Sequence, residues 1–318
     1  MEPSDTPKRS ATRFAGLADL WDAVRNFGLL GSASGGDDGL VYVSAGDGYA
    51  IPVRVLGQGT PVLLVHGLGC SYQHWMPVAR RLAHQHRVLA WDARGHGLSR
   101  PGSGTSITLA RLARDVAAML DHFALDRAVL VGHSMGALTV MQYLHDHGTA
   151  RVAAVALVDQ SPRIVTDDQW RLGLFGGCSA ALLGGLIAGA RQDLAQTLVR
   201  EVEAVAGEWL ARRLAANAPL GRLLRHWLER VDVSSLLDLA ESLAGADLRG
   251  AMARLDAPLL VVLGARSPHY AGVPLDAWYR RTVPHASVSV YEKSGHSPHY
   301  TEPERFARQL MQFIADHA

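Results

Sequence analysis

The chain has 318 residues, 48% of them hydrophobic and 19% charged, with a formal net charge of +1. That composition excludes disorder over most of the length, and a chain of this size buries about three quarters of its unfolded surface without help from a disulfide or a metal. The balanced charge provides no dense basic field, so no nucleic-acid partner is expected.

Residues 1–39 read as an N-terminal extension. Its start, MEPSDTPKRSATRF, carries no apolar segment of a secretory signal, which points to a cytoplasmic location. Leu17, Leu20, Trp21, Val24 and Phe27 then recur at helical spacing. They predict an amphipathic helix that packs on the body or serves a membrane-surface or homodimer contact. The polar GSASGGDDG follows as a linker.

From residue 40 the period changes. VYVSAG and YAIPVRVLG predict a hairpin of two strands. PVLLVHG, HRVLAWD, RAVLVGH, RVAAVALVD and APLLVVLG are short apolar runs bounded by Gly, Pro or polar clusters, as buried parallel strands are. Helical patterns over Tyr72–His84, Thr108–Phe123 and Ser134–His147 alternate with them. Strand–helix alternation predicts an α/β fold, a mostly parallel sheet with helices on both faces. The alternation divides the chain into a first core part over 40–161, a helical insert over 162–252, and a second core part over 253–318 that holds VSVYEK and the amphipathic PERFARQLMQFIADHA. Within the insert, Leu172–Ala190 is uncharged over 19 residues but carries six glycines, which favours pocket-lining helices over a membrane span.

Four segments carry chemistry. GHSMG (Gly132–Gly136) follows a predicted strand and opens a predicted helix, the setting in which a strained turn lifts the hydroxyl of Ser134 above the sheet as a nucleophile. HGLG (His66–Gly69) lacks the third glycine of a dinucleotide site and reads instead as an oxyanion loop, the N–H groups of Leu68 and Met135 facing one developing charge while His66 fixes the loop. GHSPH (Gly295–His299) supplies an imidazole base, His296. His296 and His299 form an H-x-x-H pair, yet no carboxylate or further ligand is arranged beside it in the sequence, so no metal is expected. DARGHGLS (Asp92–Ser99) contributes Asp92, Arg94 and His96 as loop-fixing residues.

Other chemistries are excluded. Lysine occurs only at Lys8 and Lys293 and no Gly-Lys dipeptide exists, which removes a Walker-A loop and makes a pyridoxal lysine implausible. The only cysteines, Cys70 and Cys178, fit a reduced compartment. No cofactor is expected.

Together VLLVHGLG, DARGHGLS, GHSMG and SGHSPHYTEPERF resemble the α/β-hydrolase superfamily over residues 40–318. The resemblance implies the α/β-hydrolase fold, a helical cap inserted between core strands 6 and 7, and the order Ser…Asp/Glu…His. Most members carry the acid after strand 7, three residues past a glycine, and GARSPHY places Ser267 there. Serine is neutral and cannot balance an imidazolium, so Ser267→Ala is expected to be nearly neutral. Asp159, at the end of strand 6 where members of dehalogenase-like architecture hold the acid, is the preferred partner of His296, with Asp276 in reserve. Haloalkane dehalogenases and epoxide hydrolases of this fold use an aspartate nucleophile, and Ser134 stands in its place.

The expected enzyme is a serine hydrolase acting by an acyl-enzyme on a carboxylic ester, thioester or lactone of a medium-sized, small-molecule hydrophobic substrate. The expected set is Ser134, Asp159 and His296 for catalysis, Leu68 and Met135 for the oxyanion, and Gly67, Cys70, Trp75, His133, Leu174 and Phe175 for substrate. The apolar insert (Leu172, Leu174, Phe175, Leu182, Leu183, Leu186, Ile187) suits a medium-sized group. C–C bond hydrolysis, acyl transfer or cyclisation, and a non-catalytic ligand sensor remain alternatives, since fold alone does not decide function.

Overall fold

A computed structural model describes residues 39–99, 106–206, 218, 221–222 and 233–318. The amphipathic segment expected over 17–27 and parts of the insert after residue 206 lie outside the described residues.

Eight strands form one sheet: β1 (Leu40–Ser44), β2 (Ala50–Leu56), β3 (Thr60–Val65), β4 (His86–Trp91), β5 (Ala128–His133), β6 (Val152–Val158), β7 (Leu259–Gly264) and β8 (Ser287–Tyr291). Their spatial order is β1-β2-β4-β3-β5-β6-β7-β8. β1 pairs antiparallel with β2 and β2 antiparallel with β4, and all later pairings are parallel. β5, β6 and β7 are buried along their whole length, which is why they read as unbroken Val/Leu/Ala runs.

Alternate residues feed two cores, because a strand turns successive side chains to opposite faces. Val62, Leu64, Val129, Val131, Leu260 and Val262 pack against α1 (Met76–Leu82) and the closing helix of the chain (Pro303–His317). Leu63, Val65, Leu130, Val155, Leu157 and Val261 face α2 (Leu109–His122) and α3 (Met135–His147). The single helix expected over Tyr72–His84 is a 3₁₀ turn (Tyr72–Trp75) followed by α1, with Pro77 in the first turn of the new helix, where its missing N–H costs no bond.

Between β6 and β7 the described residues include α4 (Ala180–Ala206), α5 (Val233–Ala244) and α6 (Arg249–Ala253). α4 breaks at Asp193 (φ −152°, ψ 98°), whose carboxylate accepts the N–H of Gln196 and so caps a second helical run. Leu172–Cys178 is a loop and a short 3₁₀ turn rather than a helix, as its glycines favour. Among the described residues no helix is long and apolar enough to cross a membrane. After β7 come α7 (Leu275–Thr282), β8, α8 (Pro298–Thr301) and α9 (Pro303–His317).

Candidate active site

The loops that leave the carboxyl ends of β3, β5, β6, β7 and β8 meet over five neighbouring strands, the place where open parallel sheets present their sites. Each loop brings one of the residues singled out above.

Ser134 links β5 to α3 in a strained conformation, φ 54° and ψ −122°. Its N–H donates to Val158 O at 3.1 Å, which ties the turn to β6. Gly136 makes the turn possible, since a Cβ there would collide with the carbonyl oxygen of Val65. Beside it, a turn closed by Cys70 N–H to Gly67 O at 3.1 Å carries Leu68. A Cβ on Gly67 would lie 3.2 Å from Ser134 Cβ, so this loop abuts the serine. His66 holds the loop: its Nε2 accepts the N–H of Ala93 at 3.0 Å, which leaves Nδ1–H to donate to Gly67 O at 2.8 Å. That tautomer requires a neutral ring, and burial pushes the imidazole well below its ordinary range. Asp92 accepts the N–H groups of Tyr72 and Leu98 at 2.6 and 2.8 Å, and Arg94 pairs with buried Asp115, so DARGHGLS braces the same side.

Asp159, wholly buried at the end of β6, also has positive φ (49°). Its Oδ2 accepts Nδ1–H of His296 at 2.6 Å and the Ser267 hydroxyl at 2.6 Å, and its Oδ1 accepts the N–H of Gly264 at 2.9 Å. The chain around it is fixed by Tyr279 OH donating to Gln160 O, and by Gln160 Nε2 donating to Tyr270 OH, each at 2.8 Å. Gly264 is required for the approach of the base loop, because a Cβ there would strike the carbonyl oxygen of Gly295. Burial disfavours charge on both partners, pushing the Asp159 carboxyl up and the His296 imidazole down. One proton between Nδ1 and Oδ2 therefore satisfies the resting pair and leaves Nε2 of His296 unprotonated. Asp276 sits in the first turn of α7, and the carboxylate that His296 meets is Asp159.

Three expectations are corrected. Trp75 does not line a pocket: it is fully buried, its ring 4.0 Å from that of His299 and 5.9 Å from Phe306, in the core beneath α1 and α9. His133 does not face substrate either. It is buried, and its Nε2–H donates to the carbonyl of His296 at 2.9 Å, because the strand that precedes Ser134 turns this side chain toward the base loop. Ser267 is no bystander, since it bonds Asp159. Of the remaining residues, Cys70 is buried with its thiol pushed up to about 12 by burial, Leu174 packs partly buried on the core, and Phe175 is 55% exposed. Leu68 is 37% exposed. Met135, the first residue of α3, belongs to the turn whose N–H groups lack intrahelical partners.

Sequence reading missed His269, whose ring stands edge-on to His296 at 4.2 Å. It also missed the grouping of His74, His133 and His299, each with one ring nitrogen within 4.8 Å of the others. A tetrahedral ion with metal–nitrogen bonds of roughly 2.0–2.1 Å needs its ligands about 3.4 Å apart. His133 donates Nε2–H to the carbonyl of His296 and keeps a buried Nδ1 without a partner among the described residues, while His299 Nε2 lies 3.3 Å from His74 Nδ1, a contact two neutral rings make by sharing one hydrogen. These contacts describe a packed histidine cluster under the base loop.

Residues 62–309 match the model of the alpha/beta hydrolase family. The chain belongs to this family, and it is an enzyme of the hydrolase class. It is 29% identical over 273 residues to a pimeloyl-acyl-carrier-protein methyl ester esterase of Aeromonas hydrophila, covering 83% of this chain and 99% of that one. An esterase from Exiguobacterium antarcticum superposes with a TM-score of 0.71 at 21% identity, covering 86% of this chain and 99% of the other. The esterase RhEst1 from Rhodococcus sp. ECU1013 gives 0.66 at 26% identity, covering 88% and 100%.

Proposed function

We propose that the protein hydrolyses a carboxylic ester of a medium-sized hydrophobic substrate through an acyl-enzyme on Ser134. The observation that carries this reading is the 2.6 Å bond from His296 Nδ1 to Asp159, with the strained Ser134 turn tied to β6. The esterases among its relatives support the bond type.

In this reading Nε2 of His296 takes the proton of Ser134 Oγ as the oxygen attacks the ester carbonyl carbon. The carbonyl oxygen gains charge and is met by the N–H groups of Leu68 and Met135. Asp159 holds the imidazole in the tautomer that leaves Nε2 free and balances the imidazolium that forms. His296 then gives the proton to the leaving alkoxide. Water, deprotonated by the same nitrogen, releases the acid and regenerates Ser134. The helical segment between β6 and β7 covers the site as a cap, its apolar loop 172–178 contributing the hydrophobic side of the pocket.

The test uses the full chain with p-nitrophenyl esters from acetate to decanoate, together with a fluorophosphonate label. Turnover that peaks at intermediate chain length and labelling confined to Ser134 are expected. Labelling without turnover would move the reading to acyl transfer or sensing, and no labelling would remove the serine mechanism.

A further inference from the structure

An enzyme of this kind must keep Asp159 ionised in a place that water does not reach. Burial raises the carboxyl's affinity for a proton, and hydrogen bonds are what oppose it. An ionised carboxylate only accepts, so the hydrogen of the Ser267 hydroxyl, 2.6 Å from Oδ2, points at Asp159. The same oxygen takes His296 Nδ1–H at the same distance. Ser267 is fully buried, and its own oxygen accepts a longer bond from the N–H of His269 at 3.3 Å.

We propose that Ser267 is a positioning residue of the catalytic site, a hydroxyl on the loop after β7 that holds Asp159 ionised and fixes Oδ2 toward His296. The inference rests on the triad reading above. It reassigns the loop after β7, which carries no acid here: it supplies the donor that an acid on β6 needs. A purely local role is the competing account, since Ser267 also turns its own loop through Ser267 N–H to Gly264 O and Ala271 N–H to Ser267 O. The two accounts differ in the pH profile. A donor lost from Asp159 leaves its charge less compensated, so the Asp159–His296 pair holds an extra proton more tightly. The acid limb of kcat/KM then moves to higher pH. A looser loop has no such effect.

The experiment measures kcat, KM and the acid-limb midpoint for p-nitrophenyl butyrate with Ser267→Ala, Ser267→Thr and Asp159→Asn. Ser267→Ala should lower kcat about tenfold with KM little changed and raise the midpoint by about one pH unit. Ser267→Thr, which keeps the hydroxyl, should restore the midpoint. Should Ser267→Ala fail to fold, Ser267→Cys, of similar size and a weaker donor, should show a smaller shift in the same direction. An unshifted midpoint in the folded alanine or cysteine variant overturns the proposal. If Asp159→Asn itself stays active, the triad reading fails first. If Asp159→Asn is inactive and the midpoint does not move, only the role of Ser267 fails.

Discussion

The imidazole of His133 donates its Nε2–H to the carbonyl oxygen of His296 at 2.9 Å. One bond thus joins the residue before the nucleophile to the backbone of the base, and the two rings lie 4.6 Å apart. The separation of Ser134 from His296 is set by this strut as well as by the two strands beneath them.

His133→Phe keeps the bulk and removes the donor. It should lower kcat by roughly 10- to 100-fold with little change in KM, the cost of misplacing a reacting group by about an ångström. Steady-state kinetics on the folded variant checks this, and an unchanged kcat would show that the strands alone set the geometry.

Asp159→Asn presents the wrong group to Nδ1 and should cost on the order of 10⁴ in kcat. Ser134→Ala should cost at least as much, and the double variant little more, because the members act as a unit. Asp276→Asn, in the first turn of α7, should stay within about twofold of the parent. Equal losses for the two aspartates would remove Asp159 from its special place.

Much of this was legible in the sequence, for stated reasons. Ser134 and Asp159 directly follow strand-like runs and His296 lies on the loop after the last one, and parallel strands deliver their carboxyl ends to one edge. What escaped were contacts between loops that sequence spacing does not connect. Ser267 and Asp159 are 108 residues apart, and nothing in GARSPHY announces that its serine reaches across to β6. Trp75 and His133 lie next to motif residues and were expected to share their surroundings. Strand alternation and the 3₁₀ turn before Pro77 send both side chains away from the substrate face. Residues 1–38 lie outside the described residues, so their helical spacing remains a sequence expectation.

Stability should fall steeply with acid. His66, His74, His133 and His299 are buried, and burial holds all four well below the ordinary imidazole range. In the unfolded chain they take up protons near pH 6.5, while in the folded protein they do so only far lower. Between those limits the unfolded state binds more protons, so stability is full above about pH 6.5 and declines as pH drops. Each group contributes a slope of up to about 1.4 kcal/mol per pH unit, so even partial expression of four rivals the whole stability of a domain. The melting temperature should drop by about 10 °C or more between pH 7.5 and 5.0. Scanning calorimetry decides it: a melting temperature unchanged over that span would mean that these rings are not held neutral.

The last prediction concerns Phe175. It is a bulky residue in the left-handed region (φ 58°, ψ 11°), a conformation that costs a non-glycine residue roughly 1–2 kcal/mol, yet its side chain is 55% exposed and gains little from the core. Its N–H donates to His269 O at 2.7 Å, and its ring stands 5.8 Å from that of His269, which in turn meets His296 at 4.2 Å. Phe175 therefore sits one ring removed from the base, with apolar surface uncovered. If that surface is completed by the acyl chain of a substrate, Phe175→Gly separates the two effects. It relieves the backbone, so the melting temperature should hold or rise. It also removes the apolar contact, so KM for p-nitrophenyl octanoate should rise about fivefold, the equivalent of about 1 kcal/mol of partial burial, while KM for the acetate stays unchanged. Equal changes for the two esters would place Phe175 outside the acyl site, and a fall in melting temperature would mean that the ring packs better than its exposure indicates.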